Sequence, residues 1–406
     1  MSGSVSALRA LDAMRRLDTR LSRYRDPYTR DILIDARTAM EYAMMSPVHR
    51  ALAGDPRVRV WMTSSERPHR LDAIYSQMAT PAPVIHPRRA MTMRFDAYLA
   101  ADFVWASLPR GGRRVQMFHG VAGKWSHIYD RPVNSMREWH RLFFINRRRL
   151  RNFVAAGALD AASEAIRLVG MPRSDCLVDG TLHRDAVLES RGLDPSRPTV
   201  LYAPTWTPYS SLNAIGEAVL SGLVDAGYTV LVKLHENSFD LAYENSGGVD
   251  WAARLTPILE RGTARLIREA NASPWLVAAD VLITDHSSVG FEYLLLDRPL
   301  VRIEMPELIN RANVPREYVD LLASPSFTVH DASGVLEQVE RAFADPRCGS
   351  QTRREVAAEL FYRPGGATRR AVRELYDVLE LTPIDLRETG EATPEHELHA
   401  SGAEVS

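Results

Sequence analysis

Short apolar runs alternate with longer amphipathic stretches along almost the whole chain, and that rhythm predicts a parallel-sheet α/β protein. β-Prone runs fall at residues 31–34, 58–62, 103–106, 115–118, 142–145 and 166–169, several closed by polar residues, Gly or Pro. The pattern then repeats at 200–203, 230–234, 264–267, 281–284, 300–303 and 327–329. Between these runs lie helical stretches such as 213–226, stopped by Gly227, and 274–279, for which Ser273 is the expected N-cap. Two successive doubly wound units predict two Rossmann-like domains facing one cleft. The breakers Gly180, Gly192, Pro195 and Pro198 place the joint within 177–198.

The expected division is an N-terminal helical segment at 1–30, a first domain at 31–183, a second at 184–350, closing helices at 351–381 and a tail at 382–406. Leu8, Leu11, Leu17 and Leu21 recur near helical spacing with arginines between them. That segment reads as a helix packed on the first domain, or as a basic amphipathic helix resting on anionic lipid. The closing helices are broken at Pro364-Gly365-Gly366, and the tail is too polar and acidic to order itself.

Composition narrows the class. Lys+Arg 50 against Asp+Glu 51 excludes a surface built throughout for nucleic acid. No run approaches the ~20 apolar residues needed to cross a bilayer, and residues 1–21 are too often interrupted by charge for a signal-peptide core. The expectation is a cytoplasmic protein, with contact at the inner face of the membrane left open. Cys176 and Cys348 are too few for a disulfide framework or a four-cysteine zinc site, and read as inert thiols.

Ligands of open parallel sheets lie beyond the carboxyl ends of the strands, which singles out four junctions. The run 281–284 leads into Asp285-His286-Ser287-Ser288 and an apolar helical stretch, 289–296. Hydroxyls and free N–H groups at such a start make an anion site, while plain N-capping by Asp285 or Ser287 uses the same residues. The run 115–118 delivers His119 and Gly120, with Lys124 close behind. An imidazole there takes a proton from an attacking hydroxyl, or is bonded structurally to a loop carbonyl. Alternation along 230–234 puts Lys233 and His235 on one side, with an exposed edge or an interdomain hydrogen bond as the plain alternative. The run 201–206 ends in Pro204-Thr205-Trp206, whose indole reads as core more readily than as a base-stacking platform. Four arginines within 147–151 open a helix and form a solvated face, or a contact for lipid or an anionic polymer. No GxxxxGK[ST] loop, HExxH pair, Asp-x-Asp pair or GxSxG elbow occurs, so neither a metal nor a cofactor is expected.

Five segments fall in one order: FHG with Lys124 at 118–124, GMPRSD at 170–175, LYAPTW at 201–206, KLH at 233–235 and ITDHSSVGFEY at 283–293. Together they resemble the CDP-glycerol glycerophosphotransferase family, which includes teichoic acid primases and polymerases of GT-B fold. The family pattern is close to WHG…K, GxPRxD, LYAPTW, KLHP and TDYSS, and the likeness covers about 115–370. It implies a GT-B-like pair of Rossmann domains, acceptor-binding first and donor-binding second. It implies transfer of an alditol phosphate from a CDP-activated donor to a hydroxyl of a polymer, glycan or lipid-linked acceptor, with release of CMP and without a cofactor. By the same resemblance His119 falls on the catalytic base and His235 on a second essential histidine. Thr205, Lys233, Asp285, Ser287 and Ser288 fall on the donor phosphates, and Gly120, Lys124 and Arg173 on acceptor or phosphate contacts. The chain departs from the pattern at Phe118 for Trp, at VAGK for TPLK, at Thr207 for an Arg and at Glu236 for a Pro. Those departures leave the transferred group open. The competing readings are another GT-B enzyme (a glycosyltransferase or a UDP-sugar 2-epimerase) and a non-catalytic nucleotide- or polymer-binding protein.

Overall fold

The computed structural model describes residues 28–101, 112–123 and 139–384. The segment before Tyr28, the run expected at 103–106, Lys124 and the tail from 385 lie outside them.

Two six-stranded parallel sheets form in succession. The first contains β1 (Arg30–Asp35), β2 (Val58–Thr63), β3 (Ala97–Ala100), β4 (Arg113–Met117), β5 (Arg141–Phe144) and β6 (Ile166–Leu168), in the order β2-β1-β3-β4-β5-β6. The second contains β7 (Thr199–Tyr202), β8 (Thr229–Lys233), β9 (Ala264–Ile267), β10 (Val281–Thr284), β11 (Leu300–Ile303) and β12 (Phe327–Val329), in the order β12-β11-β10-β7-β8-β9. Every strand pairs in parallel. Numbered within its own domain, the second sheet runs 3-2-1-4-5-6, the order of dinucleotide-binding sheets.

The strands read as continuous apolar runs because helices cover both faces of each sheet. Along β1, Ile32 and Ile34 enter one core cluster and Leu33 the other. Along β10, Val281 and Ile283 face one cluster and Leu282 the opposite one. The alternation therefore partitions apolar side chains between two cores instead of between core and water.

The polypeptide passes from the first core to the second around a 3₁₀ turn, Pro172–Leu177, and returns near its end. Helix Ser350–Leu360 adds Val356 and Leu360 to a cluster built mainly from the second domain. Helix Ala367–Leu379 instead buries Ala371, Val372, Leu375, Tyr376 and Leu379 against the first sheet. Both crossings meet at Asp175, whose carboxylate accepts the Ala367 and Thr368 N–H groups at 3.0 and 2.7 Å and so caps the returning helix. Gly170 makes the close approach possible: it sits at φ +91°, and a Cβ there would lie 2.6 Å from the Tyr362 carbonyl oxygen.

Candidate active site

The order of the second sheet reverses between β7 and β10, and a ligand crevice opens at such a switch point. Asp285 closes the floor of that crevice. Its fully buried carboxylate accepts Thr205 N–H at 2.8 Å and both the N–H and the hydroxyl of Ser211 at 3.1 Å. It therefore fixes the loop after β7 and the start of helix Ser211–Asp225, and its side chain does not cap the next helix. The capping position belongs to Ser288, whose hydroxyl makes no capping bond. The hydroxyls of Ser287, half-buried, and Ser288, exposed, are thus not committed to helix capping. The helix they open is one short segment, Val289–Tyr293, continued by a 3₁₀ turn, Leu294–Leu296, so little dipole stands behind them. Thr205 adds a buried hydroxyl without a hydrogen-bond partner among the described residues.

Next to β7, the end of β8 supplies the cationic wall. Lys233 donates from Nζ to the Leu234 carbonyl at 2.8 Å. Burial, and secondarily the neighbouring Arg173 guanidinium, push its pKa down to about 8. His235 caps the 3₁₀ turn Glu236–Phe239 through Nδ1, which accepts Asn237 N–H at 3.1 Å. An accepting Nδ1 leaves the ring proton on Nε2, so this imidazole presents a donor. Trp206 lies against the ring, centroid to centroid 5.7 Å, which is the place the indole takes in preference to the core.

The first sheet reverses between β1 and β3. His119, one residue past the end of the buried run, bonds through Nδ1 to the Ala101 carbonyl at 3.0 Å, just beyond β3. A carbonyl only accepts, so Nδ1 carries the proton and Nε2 keeps a lone pair. The structural bond to the loop carbonyl thus selects the tautomer whose Nε2 can accept a proton. Beneath the loop lies Arg149, a buried member of the arginine run, 3.7 Å from the point a Cβ on Gly120 would occupy. Gly120 thus leaves room for a guanidinium, and its φ is not in the left-handed region. Val121 and Ala122 share a core cluster with Phe291 and Leu294, and Asn146 donates to both Val121 and Leu360 carbonyls at 2.9 and 2.7 Å. One packed unit therefore links the loop of His119 to the helix that follows Ser288.

Other expected residues carry structural bonds. Arg173 is buried in an ion pair with buried Glu292, on the helix behind Ser288, and its guanidinium is a strut joining the crossing turn to that helix. Ser273 is the first helical residue of Ser273–Ala278, with Ala272 at the cap, so it does not cap as expected. Asn271 Oδ1 instead accepts Ser273 N–H at 3.0 Å. Within the arginine run, Arg148 pairs with Glu359 at 2.7 Å and with Glu317, so only part of the run is a solvated face.

Several residues at the cleft escape motif reading. Asp35 ends β1 and accepts Ser65 N–H at 2.9 Å and the Tyr98 hydroxyl at 2.6 Å. Arg67 and Arg70 follow β2, and the same segment reaches the other domain through Gln77. That side chain accepts Ala270 N–H at 2.8 Å and donates to the Arg268 carbonyl at 3.4 Å, just past β9. Glu236 faces this wall: burial raises its pKa, and Arg70 and Arg67 partly offset the rise. The strand-end rule applied to β2 selects Arg67 and Arg70; nothing local marks Asp35.

A profile of CDP-Glycerol:Poly(glycerophosphate) glycerophosphotransferases matches residues 131–376, well over half of the chain. The protein belongs to this family. Among curated relatives, the teichoic acid poly(glycerol phosphate) polymerase of Staphylococcus epidermidis is 26% identical over 200 residues, 46% of this chain and 25% of the relative. The teichoic acid glycerol-phosphate primase of Bacillus subtilis is 24% identical over 152 residues, 36% of this chain and 35% of the relative. The chain thus spans a quarter to about a third of those relatives' length. Among solved structures, the wall teichoic acid polymerase TagF superposes with a TM-score of 0.65 at 16% identity, over 87% of this chain and 90% of that one. The UDP-GlcNAc 2-epimerase of Neisseria meningitidis, bound to UDP-GlcNAc, gives 0.54 at 14% identity, over 86% and 100%. Both likenesses concern the fold alone, and they establish its GT-B arrangement.

Proposed function

We propose that this protein transfers an alditol phosphate from a CDP-activated donor to an acceptor hydroxyl during synthesis of a cell-envelope polymer, releasing CMP. Family membership supports the reaction type. The observation that carries the chemistry is the pair of histidines held in opposite tautomers, His119 with an accepting Nε2 and His235 with a donating one.

In this reading His119 Nε2 takes the proton of the acceptor hydroxyl as its oxygen attacks the phosphorus bearing the alditol. The new P–O bond forms as the bond to the bridging oxygen of CMP breaks. Charge gathers on the departing phosphate, where Lys233, Ser287, Ser288 and the His235 N–H stabilise it. Thr205 contributes a further hydroxyl, Asp285 holds the loop that carries it, and Arg149 supports the wall beneath Gly120. The transferred group is an alditol such as glycerol or ribitol, and the acceptor is a polymer, glycan or lipid-linked hydroxyl. A site of action at the cytoplasmic face of the membrane fits such an acceptor.

Turnover with CDP-glycerol, CDP-ribitol and UDP-sugars, with the released nucleotide weighed by mass spectrometry, tests the reading. CMP and a phosphodiester product are expected. Release of UDP from a UDP-sugar, or turnover of no nucleotide donor by the folded protein, would reject it.

A further inference from the structure

We propose that His286 is a positioning residue of the donor site, its imidazole tying the Ser287–Ser288 turn to the loop that follows β11. The inference rests on the reading of Ser287 and Ser288 as contacts for the donor diphosphate.

Two consecutive side chains anchor the turn in opposite directions as it leaves β10. Asp285 reaches across the switch point to the loop after β7. His286 reaches the other neighbouring strand: its Nε2 accepts Met305 N–H at 3.2 Å, two residues past the end of β11. Its own carbonyl accepts the Tyr318 hydroxyl at 3.2 Å, from helix Arg316–Ala323. Main chain and side chain of one residue are thus both held on the β11 side. The imidazole is fully buried and acts on a ligand through the residue that follows it.

Ser287 and Ser288 make no capping bond that would orient them. Their place in the crevice is set by the two tethers on the residues before them. Donors must be held within about 0.5 Å of their productive position to bind well, so a slack tether on one side weakens diphosphate binding without removing any contact group. A Tyr stands at this position in the family pattern, so the ring-nitrogen tether is a feature of this chain.

Calorimetry with CDP on the full chain separates this role from simple packing. In His286→Gln the amide oxygen falls where Nε2 sits, whereas in His286→Asn it stops short of Met305. His286→Asn is expected to weaken CDP binding about tenfold and raise the donor KM in step, with His286→Gln within about threefold of wild type. Ser288→Ala, run alongside, tests the donor-site reading itself. If Ser288→Ala leaves CDP affinity unchanged, that reading fails. If Ser288→Ala weakens CDP binding but His286→Asn does not, the tether is rejected. A purely structural His286 would lower the melting temperature of His286→Asn while CDP affinity stayed intact. Should His286→Asn not fold, a folded His286→Gln that has lost CDP affinity tenfold overturns the proposal, and one that keeps it upholds it.

Discussion

Two side chains at the cleft make opposite demands on a proton. His119 must be neutral at Nε2 to act as a base, and its worth is about 10²–10⁴ in rate. His119→Ala should lower turnover by that order while leaving CDP affinity within about twofold, because binding and deprotonation are assigned to different domains. A folded variant that turns over donor at the wild-type rate would remove His119 from the mechanism. Lys233 must be charged to hold a diphosphate, yet burial sets its pKa at about 8 instead of 10.5. Below pH 8 the ammonium is present in the free protein, and CDP binds at full strength. Above pH 8 binding must first restore the proton, so affinity should fall by up to about tenfold per pH unit. Titration calorimetry between pH 7 and 9.5 should show that decline, and Lys233→Met should flatten it. For stability the sign is reversed. Between pH 8 and 10.5 the folded chain sheds this proton while the unfolded chain keeps it, so the burial penalty on Lys233 is relieved as pH rises. Glu236 also belongs to this scale. Its carboxylate stands where the family pattern has Pro, and Glu236→Gln should alter the ratio of kcat/KM for CDP-glycerol and CDP-ribitol; an unchanged ratio would exclude it from substrate selection.

Single elements explain what could and could not be read from the chain. The strands β9 to β12 coincide with the expected runs because each is a short, mainly apolar block with Gly, Pro or charge within two residues of either end. The strand β3 was missed: AYLA contains no β-branched residue, and the more β-prone FVWA just beyond it drew the assignment. Its identity as a strand comes from burial between β1 and β4, a tertiary effect that no local propensity carries. The position of the Ser287–Ser288 turn, directly after a buried strand and before a helix, is legible because the apolar run 281–284 ends sharply at Asp285. The exchange of roles between Asp285 and Ser288 was not, since it depends on Ser211, seventy-four residues away along the chain. The partner of Arg173 is hidden in the sequence for a related reason. A motif arginine suggests a phosphate, and only the packing reveals Glu292 as its partner. Removing one member of that buried pair strands the other charge, so Arg173→Met should cost about 3–5 kcal/mol in urea unfolding, and Arg173→Met with Glu292→Leu should recover most of it. Equal stability of the single variant and wild type would show that the pair carries no structural weight.

At the scale of the whole molecule, Gln77 ties the two domains together at the mouth of the cleft through two hydrogen bonds. A cleft that admits a nucleotide and then excludes water must be able to break such bonds. Gln77→Ala should shift the nucleotide-free protein toward an open form with a larger radius of gyration in small-angle scattering, and saturating CDP should reverse much of that shift. Identical profiles for variant and wild type would show that closure is governed elsewhere, at the crossing turn Pro172–Leu177 and its capped helix.

That returning helix, Ala367–Leu379, also bears on the order in which the protein is made. The first sheet is complete in sequence at Leu168, yet the helix that seals one of its cores is synthesised about 200 residues later. At ~5–20 residues per second the ribosome takes roughly 10–40 s to close that interval. Throughout it, the hydrophobic surface awaiting Ala371, Leu375 and Leu379 lacks that helix. Of the two domains, the first is therefore translated before the second and finished after it, and a nascent-chain chaperone has its natural client in that half of the molecule.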